Sequence, residues 1–307
     1  MKIDIIGAGA MGCLYGAYLS LKHEVTMLDC YEPQVQSINE CGINVFELDG
    51  KQKVFKNVKA CLSGDKKEIP DIVIVFVKST FTENALDVNR SLFGDNTIVM
   101  TLQNGAGNDR KIAKYVKKEN IIIGTSKHNS VNEGNGKIRH TCTGITSIGS
   151  NYVEDEKLNQ IKNILVGCDL ETEVSLDIQR IIWSKLFVNL SVNTFTAITK
   201  TRIGYMVENK YAWDFAKRLI YEAIDVAEED GTYFDRREVL QFVQKVCEQA
   251  RNGYSSMYQD LQKGVETEID AINGAIVEQA KLYGVPVPYN SLIVDLIHSL
   301  EGTKNYK

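Results

Sequence analysis

The chain has 307 residues, of which 44% are hydrophobic and 24% charged. These are the proportions of a folded protein, and the length suits two domains at roughly 100–200 residues each. With 35 basic and 40 acidic side chains the net charge is −5, so there is no basic excess of the kind a nucleic-acid binder carries.

Taken in order, residues 1–6 read as a short apolar strand, 7–12 as a glycine-rich turn and 10–21 as a helix of small and apolar residues. Residues 24–28 form a second strand that ends at Asp29, and 31–41 suit a helix. Residues 43–58 read as two strands around Asp49-Gly50. The apolar runs 71–77, 96–102 and 120–124 read as strands buried on both faces, separated by helices. This alternation predicts an α/β fold, a Rossmann-type doubly wound parallel sheet. Residues 137–140 and 145–148 look like antiparallel strands, and 154–165 like a helix. From about residue 178 strand signals stop, and helical spacing runs through 185–199, 213–229, 237–250, 266–282 and 290–300. Pro286 and Pro288 mark a loop before the last helix. The predicted division is a dinucleotide-binding domain over 1–175 and an all-helical C-terminal substrate and catalytic domain over 176–307.

The seven cysteines are scattered, odd in number and without a C-x-x-C pair, which argues against a disulfide framework and a zinc site; no metal is expected. No apolar run approaches the ~20 residues of a membrane span. The N-terminus reads as a strand and not as a secretory leader, so a cytoplasmic protein without a membrane partner is expected.

Gly7-Ala8-Gly9-Ala10-Met11-Gly12 matches G-x-G-x-x-G. It follows a strand, opens a helix and precedes a second strand, which is the context a dinucleotide site needs. Gly7 permits the tight turn, Gly9 the approach of the pyrophosphate and Gly12 the helix–strand contact. Ala10 and Met11 lie at the helix N-terminus, whose free N–H groups face the phosphates. The acid Asp29, about 20 residues on, is placed to bind a ribose 2′-OH and to repel a 2′-phosphate. NAD is therefore the expected cofactor, with NADP as the alternative.

Hydride transfer to a carbonyl needs a proton donor. The histidines are poorly placed: His23 lies in a surface turn, His298 near the C-terminus, and His128 and His140 flank the antiparallel region in structural roles. Lys185, Asn189 and Asn193 are spaced i, i+4, i+8 on an apolar helix and line one face. A lysine and two amides in such a stripe suit a pocket for a keto or hydroxy acid. Ser255 and Ser256 offer hydroxyls for a carboxylate, and Glu268 opens an ordinary acidic helix start.

The segments KIDIIGAGAMG, VFVKSTFT, LQNGAG, GITSIG, WSKLFVNLSVN, SSMYQDL and TEIDAINGAIV, in this order and nearly end to end, resemble the ketopantoate reductase (2-dehydropantoate 2-reductase) family. The resemblance implies a Rossmann domain, a helical domain and an active site in the cleft between them. It places the catalytic lysine at Lys185, substrate contacts at Asn189, Asn193 and the carboxylate-binding Ser256, and a cofactor-end glutamate at Glu268. Lys78 and Asn104 match cofactor-cleft positions, with Asn104 near the nicotinamide and the substrate, and Ser130 completes the cofactor set. The implied reaction is hydride transfer from NAD(P)H to C2 of a 2-keto acid such as ketopantoate, giving a D-2-hydroxy acid.

Three positions depart from the pattern. Asp29 stands where many members carry a basic residue, and Ile203 and Gly253 stand where some carry asparagine. An NAD-dependent D-2-hydroxy acid dehydrogenase of the D-mandelate type, acting on branched or aromatic 2-keto acids, is the alternative. A non-catalytic dinucleotide-binding protein is the third reading. A helical second domain suggests a homodimer by analogy.

Overall fold

The computed structural model describes residues 1–303. These fall into two compact units, residues 1–103 with 108–178, and residues 104–107 with 179 onward.

In the first unit the elements are β1 (Lys2–Ile6), α1 (Ala10–Leu19), β2 (Glu24–Asp29), α2 (Glu32–Cys41), β3 (Ile43–Phe46), β4 (Gln52–Phe55), β5 (Val58–Leu62), β6 (Ile72–Val75), α3 (Thr82–Val88), β7 (Ile98–Thr101), α4 (Asn108–Ile112), β8 (Ile121–Ser126), β9 (Asn129–Gly134), β10 (Lys137–Cys142), β11 (Thr146–Gly149), α5 (Asp155–Gly167) and β12 (Thr172–Val174). The main sheet has the order β12-β11-β8-β7-β6-β1-β2-β5. All its neighbours are parallel except β11, which runs antiparallel to β8. Every residue of β6, β7 and β8 is buried. That explains their unbroken apolar runs, because a parallel strand covered on both faces has no solvent side to alternate toward.

A second sheet has the order β4-β3-β10-β9. The two late strands expected to be antiparallel do form, but not with each other. β10 pairs with β9 and β3 in the small sheet, whereas β11 joins the main one. One face of α1 meets this small sheet: Met11 Sδ is 3.4 Å from Ser130 Oγ on β9, and Tyr18 donates to Glu47, just after β3, at 2.6 Å. Tyr15 on the same helix bonds Ser126 of β8 and Thr146 of β11 in the main sheet, at 2.9 and 2.6 Å. His128 and His140 bond each other at 3.2 Å, and His140 continues to Glu47 at 3.1 Å. Both histidines therefore join a polar network beside α1.

In the second unit a continuous helix begins as α6 (Ile178–Val188), widens into a π turn at Asn189–Asn193 and ends as α7 (Thr194–Thr199). Then come α8 (Tyr205–Glu208), α9 (Lys210–Glu229), α10 (Arg236–Gln249), α11 (Ser256–Lys263), a second π turn at Asp270–Gly274, α12 (Ala275–Tyr283) and α13 (Pro288–Gly302). Pro288 sits in the first turn of α13, where its missing N–H costs nothing.

The core of this unit gathers Trp183, Phe187, Leu190, Ile220, Val243, Ile272 and Ile297. Side chains of Asn209, Asp235 and Ser255 cap α9, α10 and α11, each satisfying orphan N–H groups at a helix start. His298 bridges Asp270 and Glu301 at 2.9 and 2.8 Å. Burial opposes its charge, but the two carboxylates outweigh that and raise its pKa.

Two expectations change. The helix Ile178–Thr199 is, by length and composition, apolar enough to cross a membrane, contrary to the sequence reading. More than half of its most apolar stretch is buried within the protein, as in a core helix. Residues 104–107, counted by sequence with the first domain, cluster with the helices, and the first unit runs on to residue 178.

Candidate active site

The glycine turn of the first unit is shaped by contact. Gly7 has φ +102°, and a Cβ there would lie 2.7 Å from the Val77 nitrogen. A Cβ on Gly12 would lie 1.9 Å from the Gly7 carbonyl oxygen, so α1 starts tight against the turn. Gly9 is different, because among the described residues nothing lies within 4 Å of its Cβ position. That open space stands at the N-terminus of α1, where Gly9 is the N-cap and no side chain caps the helix. Free N–H groups, the positive end of the helix dipole and an open approach fit a pyrophosphate.

Asp29 ends β2 beside this turn. Its Oδ2 accepts from the Ala8 N–H at 2.6 Å and its Oδ1 from the Tyr31 N–H at 2.9 Å. The carboxylate thus holds the turn. Gln34 was not expected here. Its Nε2 donates to the Ala8 carbonyl at 2.7 Å, so Ala8 is gripped from both sides of its peptide. A glutamine in the first turn of a polar helix carries no sequence signal for that role. Lys78 is exposed at the start of the 3-10 turn Ser79–Phe81, and Ser130 is buried on β9 beside Met11.

In the second unit Lys185 lies in the last turn of α6, with Asn189 and Asn193 at the two ends of the π turn. Burial pushes the Lys185 ammonium below its ordinary pKa, and the negative charge of Glu268 pulls it partly back. Glu268 Oε2 accepts from Asn104 Nδ2 at 2.9 Å. Asn193 Nδ2 reaches Ser256 Oγ at 3.5 Å. This unit therefore links Lys185 to Glu268 and Asn104, and Asn193 to Ser256.

The two serines separate in role. Ser255 is buried, caps α11 through Tyr258 N–H and bonds Thr196 at 2.8 Å, whereas Ser256 is exposed. Of the two, Ser256 is the one whose hydroxyl is accessible.

Asn104 owes its place to the next residue. Gly105 has φ +92°, and a Cβ there would sit 2.2 Å from the Ala271 carbonyl oxygen. Gly105→Ala is expected to lift Asn104 from Glu268 and to lower kcat/KM by about tenfold or more, since small misplacements are costly in a catalytic site. Steady-state kinetics check this, and unchanged constants would remove the loop from the site.

Comparison with known proteins extends this picture. The family described as "Ketopantoate reductase PanE/ApbA" matches residues 3–152, and "Ketopantoate reductase PanE/ApbA C terminal" matches residues 177–301. The chain is 34% identical to the 2-dehydropantoate 2-reductase of Pyrococcus abyssi, over 99% of this chain and 100% of that protein. It is 33% identical to the enzyme of the same name from Lactococcus lactis subsp. lactis, over 98% of both. Among solved structures, D-mandelate dehydrogenase with NADH and anilino(oxo)acetate superposes with a TM-score of 0.88 at 31% identity, covering 99% of this chain and 100% of that one. With matches across both units and nearly the whole length, this chain belongs to the ketopantoate reductase family.

Proposed function

We propose that this protein reduces the C2 ketone of a 2-keto acid, with ketopantoate as substrate and a D-2-hydroxy acid as product. It is a nicotinamide-dependent oxidoreductase acting on the C=O/CH–OH couple. The observation that carries the reading is Lys185, a partly exposed ammonium whose pKa desolvation lowers, one helical step from Asn189 and charge-coupled to Glu268.

Gly7, Gly9, Ala10, Met11 and Gly12 would hold the pyrophosphate, Asp29 the ribose, and Lys78, Ser130, Asn104 and Glu268 the remainder of the cofactor. When bound, the reduced dinucleotide supplies the hydride. Lys185 gives its proton to the C2 oxygen as negative charge develops there, and its depressed pKa makes that transfer easier near neutral pH. Asn189 and Asn193 orient the substrate oxygens, Ser256 takes the carboxylate, and Asn104 also faces the substrate. Glu268 beside Lys185 favours the protonated form of the lysine.

A second reading has its own support. Ile203 N–H donates to the Gly253 carbonyl at 3.0 Å, and a Cβ on Gly253 would lie 3.7 Å from Ile203 Cδ1. The two positions that lack the family's asparagines are therefore neighbours, and neither carries a polar side chain. A branched or aromatic 2-keto acid suits such an apolar pair better than a substrate with an added hydroxyl.

Steady-state rates with ketopantoate, 2-ketoisovalerate and phenylglyoxylate, each with NADH and NADPH, test both readings. Ketopantoate is expected to lead, and a lead by either of the others selects the second reading. Binding of cofactor without turnover of any acid would return the protein to a dinucleotide-binding role. For the cofactor, Asp29 sets the expectation: NADH is favoured, and Asp29→Ala narrows the NADH/NADPH ratio of kcat/KM by about tenfold or more through loss of the 2′-OH bond and of the charge repulsion. A wild-type preference for NADPH would sink the Asp29 argument.

A further inference from the structure

We propose that Asn273 is a positioning residue for this reaction: through the Leu190 carbonyl it holds the π turn that keeps Asn193 in line with Lys185 and Asn189. The proposal rests on the reading of those three residues as the acid and the substrate-orienting groups.

In an unbroken α-helix each four-residue step overshoots a full turn by about 40°. Groups at i, i+4 and i+8 therefore wind away from one another around the helix. A π turn has more residues per turn, so the step from Asn189 to Asn193 falls back and cancels part of that drift. The three polar groups then stand closer to a single row, which is what a small acid bridging them requires.

Side chains add to the backbone bonds of the wider turn. Two side-chain donors converge on the Leu190 carbonyl within it, Thr194 Oγ1 at 2.7 Å and Asn273 Nδ2 at 3.1 Å. Thr194 belongs to the same helix, whereas Asn273 comes from the second π turn, which packs against the first.

The orientation of Asn273 is itself fixed. Its Nδ2 also donates to Asn290 Oδ1 at 2.9 Å. Asn290 cannot flip, because its own amide nitrogen donates to the Leu219 carbonyl at 3.1 Å and to Glu222 Oε2 at 2.7 Å. Glu222 is anchored in turn by the N–H groups of Tyr289 and Asn290 at the start of α13. Both N–H bonds of Asn273 are thus spoken for, while its Oδ1 is buried without a partner among the described residues. Leaving that oxygen unsatisfied is unfavourable. A side chain retained with its acceptor orphaned is there for its donors.

The test uses the full chain with Asn273→Ala and, as a second variant, Thr194→Val, which keeps volume and removes the other donor. Melting curves, NADH affinity by fluorescence titration, kcat and KM for the 2-keto acid, and amide exchange at residues 189–194 are measured. A positioning role predicts that Asn273→Ala lowers kcat/KM by about 10–100-fold and raises local exchange, with NADH affinity unchanged. Thr194→Val moves the same quantities less. A folded Asn273→Ala with unchanged kcat/KM overturns the proposal. So does a loss shared equally by NADH affinity and melting temperature without local exchange. If Asn273→Ala does not fold, unaltered kinetics and exchange in Thr194→Val overturn it. Near-normal turnover of Lys185→Ala would mark failure of the functional reading instead, while the exchange measurement still reports on the π turn.

Discussion

Lys185→Ala is expected to lower kcat for 2-keto acid reduction by about 10²–10⁴-fold, the range for removing a positioned general acid, while NADH still binds. Cofactor affinity is expected to be largely spared because Lys185 is not among the residues assigned to the cofactor, and the glycine turn and Asp29 belong to the first unit. The same lysine sets the pH dependence. Reduction needs the ammonium, so kcat falls as pH rises through the Lys185 pKa. Burial brings that pKa below 10.5, and Glu268 opposes the shift. Glu268→Gln removes the opposing charge, so the falling limb is expected at lower pH than in the wild type. The measurement is kcat against pH for both proteins with saturating substrate and cofactor. A limb that stays in place, or moves upward, would separate Glu268 from Lys185; near-normal kcat in Lys185→Ala would remove the lysine from the reaction.

What the sequence made legible follows from burial. β6, β7 and β8 are covered on both faces, so local composition alone marks them. β9 reads NSVNEG and is mostly exposed, and β12 has three residues, so neither leaves a period to read. β10 and β11 are recognisable as strands, but their partners are chosen by tertiary pairing, which sent them to different sheets. The site shows the same division. Lys185, Asn189 and Asn193 are visible through spacing on one helix. The π turn beneath them is not, because NLSVN has ordinary helical spacing and the donor that meets Leu190 lies 83 residues away. Asp29 was legible as an acid after a strand, but its two bonds to backbone N–H groups, and the grip of Gln34 on the same peptide, exist only once α2 is folded onto the turn.

The two glycines at the start of α1 are expected to fail in opposite ways when given a methyl group. At Gly12 the new Cβ meets the Gly7 carbonyl oxygen at 1.9 Å. Both atoms belong to rigid backbone, so α1 must move off the turn, and Gly12→Ala should destabilise the protein by about 3 kcal/mol or more, at the upper end for overpacking. At Gly9 the new Cβ meets nothing, and the backbone there, φ −73° and ψ −168°, is open to alanine. Gly9→Ala should therefore cost only about 1 kcal/mol of stability, the difference between glycine and alanine at an N-cap. Its effect falls on the ligand. The methyl group stands where the pyrophosphate must approach the helix N-terminus, and NADH affinity is expected to fall by about 100-fold, as when several charge-assisted backbone bonds are lost together. Thermal melts and NADH fluorescence titrations of the two variants separate the cases. A Gly9→Ala protein that binds NADH as the wild type does would place the dinucleotide somewhere other than this turn, and the cofactor roles of Gly7, Gly12 and Asp29 would go with it.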